Sequence, residues 1–505
     1  KVRLLSLFHQ RVDVVSILLI HPKLNVIKEL DGSIKIHGIN PSSPKLAQSA
    51  TRSHELQEAA FFIGSIEVEG AEIGFVDRSQ PLPVKVSVRQ LDISIKNLSF
   101  SNPVRFEANM ALFSATRNLK VSGRVRVLGM MGPYLLEDFQ AGIDLGTVNL
   151  RELIDAVPSL KNTGLREPLL GRLNGAVKRL KIEGKGISDL DASVSLDRGR
   201  ISVESLKTPL ENLNLIAHAT EDIFQLNNFS TEFARGKIYA TGVSKNYFSH
   251  SPQTVVNLKM SHLSLAEAIP AESSKAAQLV GDFSAAFNGQ ANGMSWPAIS
   301  KTLNGSGEVA LTEGMVVNLN ILRAVFDQLS QIPGVAGVIN KQLPPQYRRM
   351  LDKHDTQLPP IKFPVQVTNG IFVIPNLKIM MEGFDLYAAG QISLEGSVNC
   401  QATFMMEPEL TAMIAQSAPQ IQTIVDADGR IAIPVRILGD VRHLRVEPDM
   451  DYVFSRVMEN KGREMIVNAI QKTIHKNQAP SDMPDGSAAE EPGYNNMIGK
   501  LLQSR

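Results

Sequence analysis

Apolar side chains recur at every second position through most of this chain, the spacing that puts them on one face of a β-strand. Val84, Val86 and Val88 alternate with Lys85, Ser87 and Arg89; Leu91, Ile93 and Ile95 then resume one position out of step. Such a slip turns the apolar set to the other face unless a bulge or turn near Gln90 restores it. The same alternation runs through Ile66 and Val68, through Val121, Val125 and Val127, through Leu190, Ala192, Val194 and Leu196, and through Ile201 and Val203. Arg198-Gly199 between the last two reads as a hairpin turn. Later runs are Val398, Cys400, Ala402 and Phe404, then Ile431, Ile433, Val435 and Ile437. Pro434 within the last run cannot donate to a ladder and predicts an edge position or a bulge.

Asn304-Gly305, Glu313-Gly314, Asn369-Gly370 and Asp428-Gly429 punctuate the strands and suit tight antiparallel connections. Crossover helices are scarce, so the pattern predicts antiparallel meanders, not a parallel α/β sheet. Alternation gives on the order of twenty to thirty strand candidates, too many for one simple sandwich. Helical spacing appears over Leu150 to Leu160, Leu263 to Ile269, Leu319 to Ile332, Glu409 to Val425 and Tyr452 to Ile474. The segment from Leu319 to Ile332 is expected to cap an open end of the sheet. Met465, Ile466, Ala469 and Ile470 form an apolar stripe that suits docking on the protein's own sheet or a lipid interface. Gln478 to Gly493, rich in Pro, Asp, Ser and Glu, has the composition of a linker.

Composition narrows the function. Over 505 residues, Lys+Arg 52 against Asp+Glu 51 leaves no basic field for a nucleic-acid backbone. The single cysteine, Cys400, excludes an internal disulfide and a thiolate zinc cluster, and its apolar phase predicts a buried, inert thiol. Aromatics at 6% argue against an outer-membrane barrel with aromatic girdles. The longest apolar run, Val12 to Ile20, contains Asp13 and is about half the length a membrane-spanning helix needs.

Catalytic signatures are missing: no HExxH, no G-x-S-x-G elbow and no G-x-x-x-x-G-K-[ST] loop. Asp426-Ala427-Asp428-Gly429 lacks the further ligands of a calcium loop and reads as a turn. No cofactor or metal is expected. The aliphatic stripes suit a plain core or, if few helices cover them, an apolar ligand such as an acyl chain.

Several motifs then resemble those of AsmA-like proteins of Gram-negative envelopes, relatives in architecture of bridge-like lipid-transfer proteins. Leu24-Asn25-Val26-Ile27-Lys28-Glu29-Leu30-Asp31-Gly32-Ser33-Ile34 resembles that family's N-terminal strand, Asp-Gly turn and strand, and Ile66 to Asp77 its following hairpin. Leu303-Asn304-Gly305-Ser306-Gly307 with Leu311-Thr312-Glu313-Gly314 resembles the start of the C-terminal module, and Gly429 to Gly439 followed by Pro448-Asp449 its end.

The fold expected is mainly β with a few helices: a long, curved and twisted antiparallel sheet forming an elongated groove, with helices capping or interrupting it. Its parts are an N-terminal groove region (1–160), a middle antiparallel region (161–300), a C-terminal module with helices (301–477) and a tail (478–505). The groove lining is expected to include Val84, Val86, Val88, Ile93, Ile95, Val125, Val127, Val194, Leu196, Ile201, Val203, Ile392, Leu394, Val398, Phe404, Ile431, Ile433, Val435 and Ile437. The resemblance implies a non-enzymatic, periplasmic carrier of phospholipids contributing to outer-membrane lipid homeostasis. It also implies an inner-membrane anchor upstream of Lys1 and contacts with outer-membrane proteins. The alternative is a structural or assembly factor for envelope β-barrel proteins.

Overall fold

The computed structural model describes residues 12–31, 33–37, 61–79, 83–98, 103–128, 133–183, 186–270, 277–331, 343–441 and 443–459. All their strands join one curved, unclosed sheet. The first are β1 (Val12–Ile20), β2 (Lys23–Lys28), β3 (Ile34–His37), β4 (Phe61–Asp77), β5 (Val84–Leu98), β6 (Val104–Leu112), β7 (Leu119–Val127) and β8 (Tyr134–Asp144). The middle strands are β9 (Leu165–Glu183), β10 (Gly186–Val203), β11 (Leu210–Thr220), β12 (Ile223–Phe233), β13 (Gly236–Lys245), β14 (Gln253–Ser264) and β15 (Gln278–Asn292). The last are β16 (Asn304–Val317), β17 (Thr356–Gln357), β18 (Ile361–Thr368), β19 (Ile371–Met381), β20 (Phe384–Ser393), β21 (Ser397–Met406), β22 (Ala432–Asp440) and β23 (His443–Pro448).

From β4 onward each strand pairs antiparallel with the next in sequence, β17 and β18 sharing the edge of β16. The ladder runs unbroken past residues 160 and 300. Its N-terminal edge departs from a pure meander: β1 and β2 both run parallel to β4. Ile66 to Asp77, expected as a hairpin, belongs to the single long strand β4, which is bulged where Gly70 (φ 63°) faces His21 (φ 48°).

Bulges shape the sheet. Gln90 has φ 52° where the β5–β6 register shifts between Arg89 and Asp92, so the expected correction of phase is a bulge. Asp138, Asn212, His262 and Glu313 take the same left-handed conformation at other register shifts. Arg198 (φ 49°) and Gly199 do not form a hairpin turn; β10 continues through them to Val203. A left-handed residue beside glycine is the signature of a bulge as well as of a turn, and sequence alone does not separate the two. Each bulge bends its strand and adds twist, which accounts for the curvature. Among the glycine pairs, Asn369-Gly370 forms the β18–β19 hairpin turn (φ 50° and 75°) and Asp428-Gly429 a turn before Ile431. Asn304-Gly305 and Glu313-Gly314 lie inside β16.

Helices are short. They are α1 (Leu150–Ala156), α2 (Leu265–Ala268), α3 (Trp296–Thr302), α4 (Ile321–Leu329), α5 (Pro345–Asp352), α6 (Pro408–Ser417) and α7 (Met450–Glu459). Among the described residues, no helix is long and apolar enough to cross a membrane. The main closed core lies in the C-terminal part, where Leu322, Val325, Phe326 and Leu329 of α4, Tyr347 of α5 and Leu410 and Ile414 of α6 pack on Phe384, Leu386, Phe404, Ile433 and Val435. The rings of Phe384 and Phe404 stack at 4.6 Å. Arg430 fastens this core: it pairs with Asp385 at 2.7 Å and donates to the carbonyls of Met405 and Met406. Pro434 pairs with Thr403 just beyond the last β22–β23 pair, Val435 with Pro448, and so holds the edge position its missing N–H requires. At the far edge, Leu444 of β23 donates its N–H to the carbonyl of Ala277, 3.2 Å away, bringing the last strand beside the start of β15.

Candidate functional site

Paired residues of neighbouring strands share a face, so the register can be followed across the whole sheet. One line of partners runs Val68, Ile93, Ala108, Val121, Ala141, Gly175, Val194, Ala217 and Leu226. It continues through Gly242, Val256, Gly289, Gly305, Val367, Phe372, Ile392, Val398, Gly439 and Leu444. Every member is apolar or glycine. The adjacent line on the same face runs Met110, Leu119, Ile143, Leu173, Leu196, Leu215, Phe229, Ala240, Leu258 and Phe287, and is apolar throughout. The opposite face carries Glu67, Ser94, Glu107, Ser122, Gln140, Ala176, Ser193, His218 and Gln225 along one such line, polar at every strand but β9.

The two apolar lines are covered unequally. Between β6 and β13 each strand has its principal contacts with its ladder neighbours, with α1 and the 3-10 turn before it meeting one end of β9. Most of the apolar residues here are half-buried, and Ala108, Leu196 and Ala217 are buried. From β6 to β13 this uncovered stretch measures about 34 Å across the strands at ~4.8 Å each. Beyond it, Ile299 of α3 and Leu303 at its C-terminal end close over Phe287, Val367 and Phe372, and the helical core follows.

Glycines mark this change. A Cβ on Gly175 meets nothing within 4 Å, so the face is open above β9. A Cβ on Gly305 falls 2.3 Å from the Asn288 carbonyl oxygen and 2.6 Å from the Phe287 ring, which lies across these glycines.

The expected lining residues therefore divide. Ile93, Val194 and Leu196 fall on the two open lines. Ile95 pairs with Ile66 and Phe106, Val125 with Val104 and Leu136, and Val127 with Tyr134 on the same strands. Val88 packs with Ile73, Leu91 and Ile93 around the Gln90 bulge, and Val86 and Val84 continue its phase. Ile201 pairs with Leu210 and Val203 with Leu165 at the far end of β10. Ile392 and Val398 lie on the first line beyond α3, and Leu394 packs at the edge of the Phe287 cluster. The last group is corrected by the structure. Phe404, Ile431 and Ile433 are 0% exposed and Val435 2%, inside the helical core with Ile437 packed against it. They line no open surface, because α4, α5 and α6 occupy the space above them.

Cys400 is buried, and burial raises its thiol pKa. Asp426 accepts from the N–H groups of Asp428 and Arg430, closing the turn anticipated there. Hollows of the sheet lined by Lys120, Gln140, Arg172 and Asn174, about 390 Å³ in one case, open on the polar face. Among the described residues no three His, Cys, Asp or Glu side chains gather as a metal site. The apolar stripe from Met465 to Ile470 lies outside the described residues. Compared with family models, characterised proteins and solved structures, the chain finds no match.

Proposed function

We propose that this protein is a non-enzymatic carrier that shelters the acyl chains of phospholipids on the open apolar face of its sheet. The observation that carries the reading is the pair of unbroken apolar lines crossing β6 to β13 without a covering layer. An acyl chain laid across the strands gains roughly 0.8 kcal/mol per buried methylene and requires no directional partner. A lining without polar interruptions offers no single deep site, so a bound chain can shift along it while its headgroup stays in water. The resemblance of its motifs to those of AsmA-like proteins supports proposing that this work is done in a Gram-negative periplasm, between an inner-membrane anchor and the outer membrane.

The test is mass spectrometry of lipids extracted from the purified chain beside a soluble control of equal size. Several phospholipids per folded chain support the reading; none from folded protein overturns it. A second reading, an assembly factor for envelope β-barrel proteins, draws on the outer edge of β1, where Leu18, Leu19 and Ile20 are exposed and where a partner strand could add to the sheet.

A further inference from the structure

We infer that one long edge of the sheet, from β7 to β15, is a rim that lies on the surface of a zwitterionic phospholipid bilayer. The two long edges differ. On one, α1, Leu206, Leu210 and α2 pack over the strand ends, with Phe233 and Leu263 beneath the latter. On the other, apolar side chains stand in water. Val127 pairs with Tyr134, Tyr134 with Ile182 and Ile182 with Ile187, so these residues share that edge. Leu128, Tyr134, Ile182 and Ile187 are all exposed, Ile187 by 54%.

The same edge continues through the β11–β12 turn, the connection from Asn246 to Pro252, and Gly293 to Trp296. These are tied together: Asn246 N–H donates to the Asp222 carbonyl at 2.7 Å and Gly293 N–H to the Pro252 carbonyl at 2.7 Å. Tyr247 is fixed by its hydroxyl, which donates to the Thr220 carbonyl, and its ring lies 4.3 Å from that of Phe248. Phe248 is thereby held outward, 67% exposed, and Trp296 at the start of α3 is 60% exposed.

From β7 to β15 this rim spans about 38 Å at ~4.8 Å per strand. A row of exposed apolar side chains of that length marks a partner. Trp, Tyr and Phe beside aliphatic residues have the composition that settles at the boundary between headgroups and acyl chains. Charge decides which bilayer. Arg126 pairs with Glu137, Arg179 with Asp189 and Lys181 with Glu183 along this edge, leaving no net basic field for anionic lipids. The inference adds an entry route to the proposed function: a lipid crosses the rim sideways to reach the apolar face.

Trp296 is the single tryptophan of the chain, so its emission reports the rim directly. With phosphatidylcholine vesicles the emission shifts to the blue, is quenched by brominated acyl chains, and changes little with salt. Ile187→Ser and Phe248→Ser each lower vesicle partition about tenfold, although Ile187 lies far along the rim from Trp296. Unchanged emission in excess vesicles overturns the inference. So does a blue shift that grows with protein concentration without vesicles, which marks a protein interface, or an Ile187→Ser variant that binds vesicles like the parent. Lipid extraction reads the apolar face independently: bound lipids with an unresponsive Trp296 remove the rim and leave the carrier, and the converse removes the carrier alone.

Discussion

Two aspartate substitutions, chemically alike, are expected to act in opposite ways. In Val194→Asp the new carboxylate stands on the open part of the face, where a half-buried side chain still reaches water. Its cost to folding is the poor strand preference of Asp, about 1 kcal/mol. A bound acyl chain crossing Gly175, Val194 and Ala217 meets a hydrated charge, and about four methylenes lose their apolar contact at ~0.8 kcal/mol each. That is ~3 kcal/mol, or roughly a 200-fold fall in occupancy at that point. In Ile433→Asp the carboxylate replaces a side chain that is 0% exposed and paired with Phe404. Its described neighbours are the apolar side chains of this core, and an unpaired buried charge costs more than about 4 kcal/mol. Lipid per chain by mass spectrometry, read beside thermal unfolding by circular dichroism, separates the two. Val194→Asp keeps the melt and loses lipid; Ile433→Asp loses the low-exposure core and its cooperative transition. Full lipid occupancy in a folded Val194→Asp, Val121→Asp double variant refutes the open-face argument, and an unaltered melt in Ile433→Asp refutes the assignment of the closed core.

Two glycines give a matching contrast: Gly175→Leu fills open space, so it keeps the melting temperature and lowers lipid per chain, whereas Gly305→Ala drives a Cβ onto the Asn288 carbonyl and costs about 2 kcal/mol by overpacking, read as a lowered melting temperature with the strand spectrum retained. Arg430→Met removes the guanidinium partner of the half-buried Asp385 and destabilises the C-terminal core by about 2 to 3 kcal/mol; adding Asp385→Asn recovers part of the loss in chemical denaturation, and full additivity of the two changes counts against their pairing. The phenol of Tyr347 has its pKa raised by burial and by donating to Glu407 and Glu409. The folded state therefore holds this proton more tightly than the unfolded chain, and the resulting stability is complete below the ordinary tyrosine pKa of about 10 and is lost as pH rises above it. Melting temperatures followed into that alkaline range fall less steeply in Tyr347→Phe than in the parent.

Much of the sheet was legible because alternation obeys a strict rule of facing. The run from Val84 to Ile95 showed both its strand and the slip at Gln90, and four of the five helical segments appeared where expected, with α4 and α6 close to their anticipated positions; of the fifth, Tyr452 to Ile474, only the part within α7 falls among the described residues, and α3 and α5 were not anticipated. Two things were hidden. The pairing of β1 and β2 parallel to β4 is set by partners distant in sequence, and neither strand's pattern distinguishes it from a hairpin arm. Coverage was hidden as well: Val194 and Ile433 sit on equally clean apolar phases, and only the packing of α4, α5 and α6 makes one a surface and the other a core. The apolar rim escaped notice because its residues lie at strand ends and in turns, where alternation stops.

Pairing each strand with its neighbour in sequence has a consequence for how such a protein can change length. Contacts stay largely local to adjacent hairpins, so stability approaches a sum of nearest-neighbour terms, as in a linear array. Inserting one hairpin in register between β6 and β13 adds two strands, lengthens the apolar lane by about 10 Å, and disturbs only the two ladders it separates. Reach thus becomes a countable property of the chain, adjustable by duplication without redesign of either end.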